Sequence, residues 1–487
     1  MMGYRKYWLW LFLILADGQY VIAQMQGDQD KAPKSAPVDT TNSFLRNLKS
    51  EQTFTVRNII IVGNKKTRPE IMLREIPFKP GEQYLLQDLV SKFEIARKQL
   101  MNTSLFHEVV VALKTFDGYF IDVLVEVRER WYVFPVPYFK PVDRNLNQWI
   151  VEQKASLDRV NYGAKLLYNN FTGRNDKLRA WLIGGYTKQI SLSYDRLYID
   201  KAMKWGFNTN FNIGKNKEVN YNTINDKQAF LKEDYYLRNF MNISAELTYR
   251  KAIKTRHRFG IAFTKEEVHD TIVKLNPVYL GSSRRMIMFP EIYYRMSYYD
   301  LDYIPYPTKG YAAEIFVGKK GINKEVNLWQ LSANATGITH VGKKMFFTAI
   351  AYGAIKLPFR QPYVAQHMLG FSDVFMQGYE YYVIDGVAAG YLKAALNRKL
   401  FGFSIRTPAV KKLTPQRIPF VFYGKIYGNT GYVYNPEPGE NSLTNKMLYS
   451  AGVGIDILTM YDFTLKLEWS FNQLGQNGLF LHRKSIF

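Results

Sequence analysis

Few reactive side chains in this sequence stand at a spacing that supports chemistry. His107-Glu108 opens like a His-Glu-x-x-His zinc helix, but no second His follows, so the imidazole pair that would grip a metal from one helix face is missing. The six His are scattered without ligand spacing. There is no Gly-x-Ser-x-Gly elbow and no Gly-x-x-x-x-Gly-Lys-Ser/Thr phosphate loop, which removes the usual nucleophile and nucleotide sites. Gly452-x-Gly454 lacks the rest of a dinucleotide loop, and its glycines suit close strand contact instead. The carboxylate pairs Glu266-Glu267 and Asp300/Asp302 fall at strand ends or turns, where solvation explains them. With no Cys, thiolate metal sites, disulfides and cysteine nucleophiles are excluded. The reading is a protein without catalytic residues, metal or cofactor.

Composition points to a folded chain of unusual kind. Of 487 residues, 47% are hydrophobic and 16% aromatic, too many core formers for a disordered chain. Lys and Arg number 65 against 42 Asp and Glu, a net charge of +23. These cations are dispersed rather than clustered, which argues against nucleic acid. Facing a lumen or a rim, they would instead attract anionic lipid head groups or acidic clients.

The elements that position these residues fall into four stretches. Arg5-Lys6, the apolar run Tyr7 to Ala16 and the small residues near Ala23 give residues 1–23 the layout of a signal peptide. Residues 24–52 are polar, with two prolines, and read as a flexible linker. Residues 53–130 carry a strand ending at Gly63-Asn64, a short helix that Thr67 is placed to cap, a second helix over Leu85 to Met101, and two strands, Glu108 to Leu113 and Tyr119 to Arg128. The order is β-α-α-β-β.

From 131 to 487 the dominant period is two. Met241, Ile243, Ala245, Leu247 and Tyr249 interleave with Asn242, Ser244, Glu246, Thr248 and Arg250, so each strand has one apolar and one polar face. The runs reach about ten residues, longer than the usual soluble strand, and suit a strand tilted across a bilayer. About sixteen of them are counted, with long connections at one end and mostly short turns at the other, 300–308 and 400–414 being exceptions, as transmembrane barrels show. The expected fold is mostly β: a roughly 16-stranded antiparallel transmembrane β-barrel preceded by a small α+β domain.

Particular motifs resemble a known family. Ile59-x-Ile61-x-Gly63-Asn64, Arg74-Glu75-Ile76, Gly81, Leu105-Phe106 and Val125-x-Val127-x-Glu129-Arg130 resemble the polypeptide-transport-associated (POTRA) domain. Asp300-Leu301-Asp302 with Pro307-Thr308-Lys309-Gly310, Met376-Gln377-Gly378-Tyr379 and Asn429-Thr430-Gly431-Tyr432-Val433 are similar to barrel motifs of the BamA/TamA superfamily, the bacterial surface antigens. The resemblance implies an outer-membrane protein assembly, insertion or translocation factor, with its POTRA domain in the periplasm. Its partners would be unfolded β-barrel clients, outer-membrane lipids and further assembly-complex subunits. It implies client capture on the POTRA edge strand (Glu108, Val109, Val110, Val111, Ala112, Leu113) and at the barrel seam, and a terminal aromatic signal at Phe487. The tip Gln377-Gly378-Tyr379 would fold into the lumen against Asn429 and Gly431. Where the family pairs Arg with Asp, this chain has Gln377 and Asn429, which are expected to hydrogen-bond to each other. A passive pore or lipid-translocating barrel is the alternative.

Overall fold

The computed structural model describes residues 52–141, 150, 154, 156, 160–185, 187–322, 326–371, 374–406 and 417–484. The expected signal peptide, all of the linker but Gln52, and Phe487 lie outside them.

The N-terminal unit is a four-stranded sheet of order β2-β1-β4-β3, built from β1 (Thr53–Val62), β2 (Gln83–Leu85), β3 (Phe106–Asp117) and β4 (Phe120–Glu129). The central strand β4 buries Ile121, Val123, Val125 and Val127, the period-two stripe of a sheet packed on one face. Helix α2 (Leu86–Asn102) buries Leu89, Phe93, Ala96 and Leu100, a spacing that lines one helical face. The short α1 (Pro69–Leu73) starts after Arg68 with no side-chain cap. Thr67 therefore does not cap it: its hydroxyl lies 3.1 Å from the Tyr132 hydroxyl.

The larger sheet has sixteen strands running in chain order, from β5 (Val133–Pro141) to β24 (Asn477–Lys484). Between them lie β6 (Val160–Asn169), β7 (Lys177–Gly185), β8 (Thr187–Arg196), β9 (Trp205–Asn216), β12 (Arg238–Tyr249), β13 (Thr255–Val268), β14 (Met286–Leu301) and β15 (Gly310–Lys320). They are followed by β16 (Leu328–Gly342), β17 (Met345–Leu357), β20 (Ala388–Arg406), β21 (Arg417–Tyr434), β22 (Met447–Leu458) and β23 (Thr464–Asn472). Neighbouring strands are antiparallel throughout. Two hairpins decorate the loops, β10 (Glu218–Ile224) with β11 (Lys227–Lys232) and β18 (His367–Leu369) with β19 (Ile384–Asp385). A one-turn helix, α3 (Asp270–Leu275), occupies the connection from β13 to β14.

Register turns the alternation into a belt. Phe211, Ile243 and Phe263 align across β9, β12 and β13, as do Phe207, Leu247 and Phe259, and all six are exposed. In water each would forgo about 1.5–3 kcal/mol of burial, so this face of the β-barrel requires an apolar medium. Among the described residues no helix is long and apolar enough to cross a membrane; the strands are the membrane-spanning elements.

Candidate functional site

The interior of the barrel carries a buried charge cluster on its last strands. Lys425 on β21, Gly454 on β22 and Glu468 on β23 are aligned in register. Because Gly454 has no side chain, the Lys425 Nζ passes over it to reach Glu468 at 2.6 Å, and it also meets Asp456 at 2.6 Å. A Cβ at Gly454 would stand 3.0 Å from Lys425 Cε and 3.2 Å from Glu468 Cγ. Gly452 has the same role in the neighbouring row, leaving room for the Tyr427 and Ser470 hydroxyls to meet at 2.7 Å. His482 on β24 contacts Glu468 and lies 3.6 Å from Glu380. From the opposite end, Tyr306 in the β14–β15 turn donates to Asp456 at 3.1 Å. One buried cation is thus shared by two carboxylates, the full pairing that a buried charge needs to offset its desolvation.

The loop between β17 and β20 packs onto this cluster. Met376 and Tyr379 are buried with Tyr391, Val433 and Leu448, and Tyr379 donates to the Tyr449 carbonyl at 3.0 Å. Gly378 sits at φ +90°, where an added Cβ would come 2.9 Å from the Ser450 Cβ, so the tip fits only as glycine. Asn472 donates to the Gly378 carbonyl at 2.8 Å, and the Lys393 ammonium caps the Phe375 carbonyl.

The expected bond between Gln377 and Asn429 is absent. Gln377 donates to Glu468 at 3.3 Å, whereas Asn429 donates to Ser450 at 3.0 Å. The carboxylate that receives the loop stands on β23, two strands from Asn429, because Glu468 is the acceptor that Lys425 and His482 already hold in place. Gly431 does meet the motif, since a Cβ there would lie 3.1 Å from the Met376 sulfur. Sequence reasoning missed Lys425, Asp456, Glu468, His482, Glu380 and Tyr306. The signal available was charge at one parity on consecutive strands, beside the Gly452-x-Gly454 pair.

The N-terminal unit is fastened to the short-turn end of the barrel. Arg250 at the end of β12 forms a buried pair with Glu75 at 2.5 Å, and Tyr198 donates to the same carboxylate at 3.2 Å. Arg130 pairs with Asp462 in the β22–β23 turn at 2.6 Å. Asn170 donates to Thr67, Lys66 to the Tyr168 hydroxyl, and the Ile304 amide to Asn102. These anchors reach turns spread along the sheet, at 170, 250, 304 and 462. A cavity of about 560 Å³ at this junction is lined by Lys177, Arg250, Arg256 and Arg258 together with the carboxylates Glu75, Asp195 and Glu314, so charges of both signs face it.

The residues Glu108 to Leu113 lie in β3, the outer strand of the four-stranded sheet, whose ladder partner is β4. Its beginning touches the barrel: the His107 and Tyr461 rings are 5.1 Å apart. Burial, together with Arg130 and Arg128, holds the His107 imidazole down at about 4. In the same sheet Asp122 accepts from Arg57, Asn58 and Thr115, and the Arg57 guanidinium holds its carboxyl well below the usual range. Among the described residues no group of three His, Asp or Glu is placed to hold a metal ion.

Comparison with known families completes the picture. Residues 54–130 match the family model for the POTRA domain, described as the surface antigen variable number repeat. Residues 170–471, more than half of the chain, match that of the Omp85 superfamily domain. The chain belongs to the Omp85 superfamily. This Omp85 chain therefore joins one POTRA domain to a barrel of the class concerned with outer-membrane protein assembly or translocation. Its fold is similar to that of CdiB from Escherichia coli, at 11% identity over 88% of this chain and 75% of that one, with a TM-score of 0.52. BamA from Haemophilus ducreyi lacking POTRA domains 1–3 is similar at 15% identity, 88% and 83% coverage and a TM-score of 0.49. No curated protein matches the sequence.

Proposed function

We propose that this Omp85 chain assembles or inserts β-barrel proteins in the bacterial outer membrane, with its POTRA domain in the periplasm. An extended client segment adds to the β3 edge at Glu108 to Leu113 and passes to the barrel seam. The observation that carries this reading is the position of β3: it is the outer strand of its sheet, and its first residues abut the barrel at Tyr461. Edge strands bind extended peptides through main-chain hydrogen bonds, and Val110, which is exposed, offers an apolar contact beside them. The exposed aromatic and aliphatic belt supports a lipid environment.

A passive pore is supported less well, since the loop carrying Gln377 packs inside the barrel and the POTRA domain is bolted to turns at its mouth. Depletion of the protein followed by quantitative proteomics of the outer membrane tests the assignment. Selective loss of other β-barrels is the expected result. An unchanged barrel inventory with altered permeability or lipid asymmetry would replace assembly by the pore or lipid reading.

A further inference from the structure

The outer face of the barrel gathers positive charge at the end remote from the POTRA domain. Lys188 at the start of β8 and Lys215 near the end of β9 stand directly opposite each other in the ladder. Both point outward with the apolar belt, because Ile190 and Ile213, two positions away on the same strands, pair in the same way and are exposed. Like charges directly opposite across a ladder are destabilising, the more so beside hydrocarbon, where a low dielectric strengthens repulsion. Lys217 joins them: the ammonium groups of Lys188, Lys215 and Lys217 lie 5.8, 4.4 and 5.9 Å from the centre of one ring, that of Tyr236. An aromatic face attracts a cation through its quadrupole, but it has no net charge and cannot neutralise three. Among the described residues none of the three lysines forms an ion pair with a carboxylate. Their row continues through Asn239 to Glu267, so its first carboxylate stands two strands beyond Lys215.

An apolar furrow adjoins these cations. It has a volume of about 920 Å³, and Leu182, Ile190, Ile213 and Met241 line it together with Lys188, Lys215 and Lys265. Glu267 lines it as well, two positions from Lys265 on β13. The row Ile190, Ile213, Met241, Lys265 runs across four strands in register, next to the row that holds Lys188 and Lys215. Charge at one end and hydrocarbon along the rest is the complement of an amphiphile. A soluble anion would use the lysines and leave the furrow bare.

We propose that this patch is a binding site for a phosphorylated lipid of the leaflet remote from the POTRA domain. Its phosphate sits among Lys188, Lys215 and Lys217, and an acyl chain lies along Leu182, Ile190, Ile213 and Met241. Lysine binds phosphate as a point charge, and basic residues at a membrane surface each add to the attraction for anionic lipid. The bound phosphate relieves the repulsion between the opposed lysines, which gives the patch its preference for an anionic over a neutral lipid. This inference rests on the barrel lying in a membrane and not on the assembly reading.

The test uses the full chain purified in a neutral detergent, with diphosphoryl lipid A as the probe and native mass spectrometry as the readout. A retained lipid adduct is expected on the parent protein. Lys188→Gln, Lys215→Gln and Lys217→Gln together should weaken it at least about tenfold. Lys319→Gln removes another cation of the outer face at the same end, one whose ammonium lies 5.3 Å from the centre of the Trp329 ring, and should leave the adduct unchanged. The fully dephosphorylated probe should bind the parent as weakly as the phosphorylated one binds the triple variant. Inorganic phosphate, compared with chloride at equal ionic strength, should not displace the adduct. No adduct on the parent, equal adducts on parent and triple variant, or equal binding of the two probes overturns the inference. Displacement by inorganic phosphate overturns it too, in favour of a soluble anion. Because the lysines repel one another, the triple variant is expected to keep the compact form on unheated gels; if it does not, Lys215→Gln alone is compared with the parent, and an unchanged adduct there overturns the inference. The assembly reading is judged separately, by the barrel inventory after depletion.

Discussion

Lys425 and Glu468 meet at 2.6 Å across Gly454, with Asp456 on the other side of the ammonium. Removing the cation leaves two buried carboxylates facing each other. Lys425→Met is therefore expected to cost about 3–5 kcal/mol, read as a lowered temperature for loss of the compact form on unheated gels. Glu468→Gln keeps one carboxylate for Lys425 and is expected to cost less. Equal losses in both variants would show that the ammonium is not the hub of the cluster.

Gln377 donates to Glu468, and Asn429 bonds elsewhere. A double-mutant cycle separates the two pairings. Gln377→Ala with Glu468→Gln should be non-additive by about 1 kcal/mol, the scale of one hydrogen bond. Gln377→Ala with Asn429→Ala should show a smaller coupling. The reverse ranking in unfolding midpoints would return the loop's partner to β21.

The barrel was legible because lipid outside and water inside impose the same alternation on every strand, and Met241 to Arg250 display it without interruption. The β3 edge came from the resemblance to the POTRA domain rather than from the residues themselves; in the structure β1 and β4 pair in parallel, which leaves β3 outside. The charge cluster was not legible. Whether Lys425 meets Glu468 depends on inter-strand register, and period two leaves register open to shifts of two residues. The same holds for Glu75 and Arg250, which are 175 positions apart and meet only after the barrel has formed. Gln377 was placed in the right loop and given the wrong wall, since a family pattern fixes the strand only while its charged residue stays where the pattern has it.

Gly378 holds φ +90° against Ser450. Gly378→Ala combines an unfavourable backbone region with a contact that must give way, and is expected to destabilise the tucked loop by about 1–3 kcal/mol. Limited proteolysis is the readout, because Arg360 in the same loop is exposed and becomes easier to cut when the tip is released. Cleavage no faster than in the unmodified protein would mean that Met376 and Tyr379 hold the loop without the glycine.

His107 gives the junction between POTRA domain and barrel a pH dependence of definite sign. The ring packs against Tyr461, and burial with Arg130 and Arg128 close by depresses its pKa from 6.5 to about 4. Docked, it stays neutral; undocked, it accepts a proton near its ordinary value. As pH falls from about 6.5 to about 4, the undocked state alone gains protons, so docking weakens across that window and is unaffected above it. Hydrogen exchange at the β22–β23 turn, measured at pH 7.5 and at pH 5 after correction for intrinsic rates (about neutral and mildly acidic conditions on either side of an unperturbed imidazole), should show faster opening in acid. His107→Phe keeps the ring contact and cannot titrate, so the acid-dependent difference should disappear in it. If the variant opens in acid as the parent does, the pH response does not come from His107.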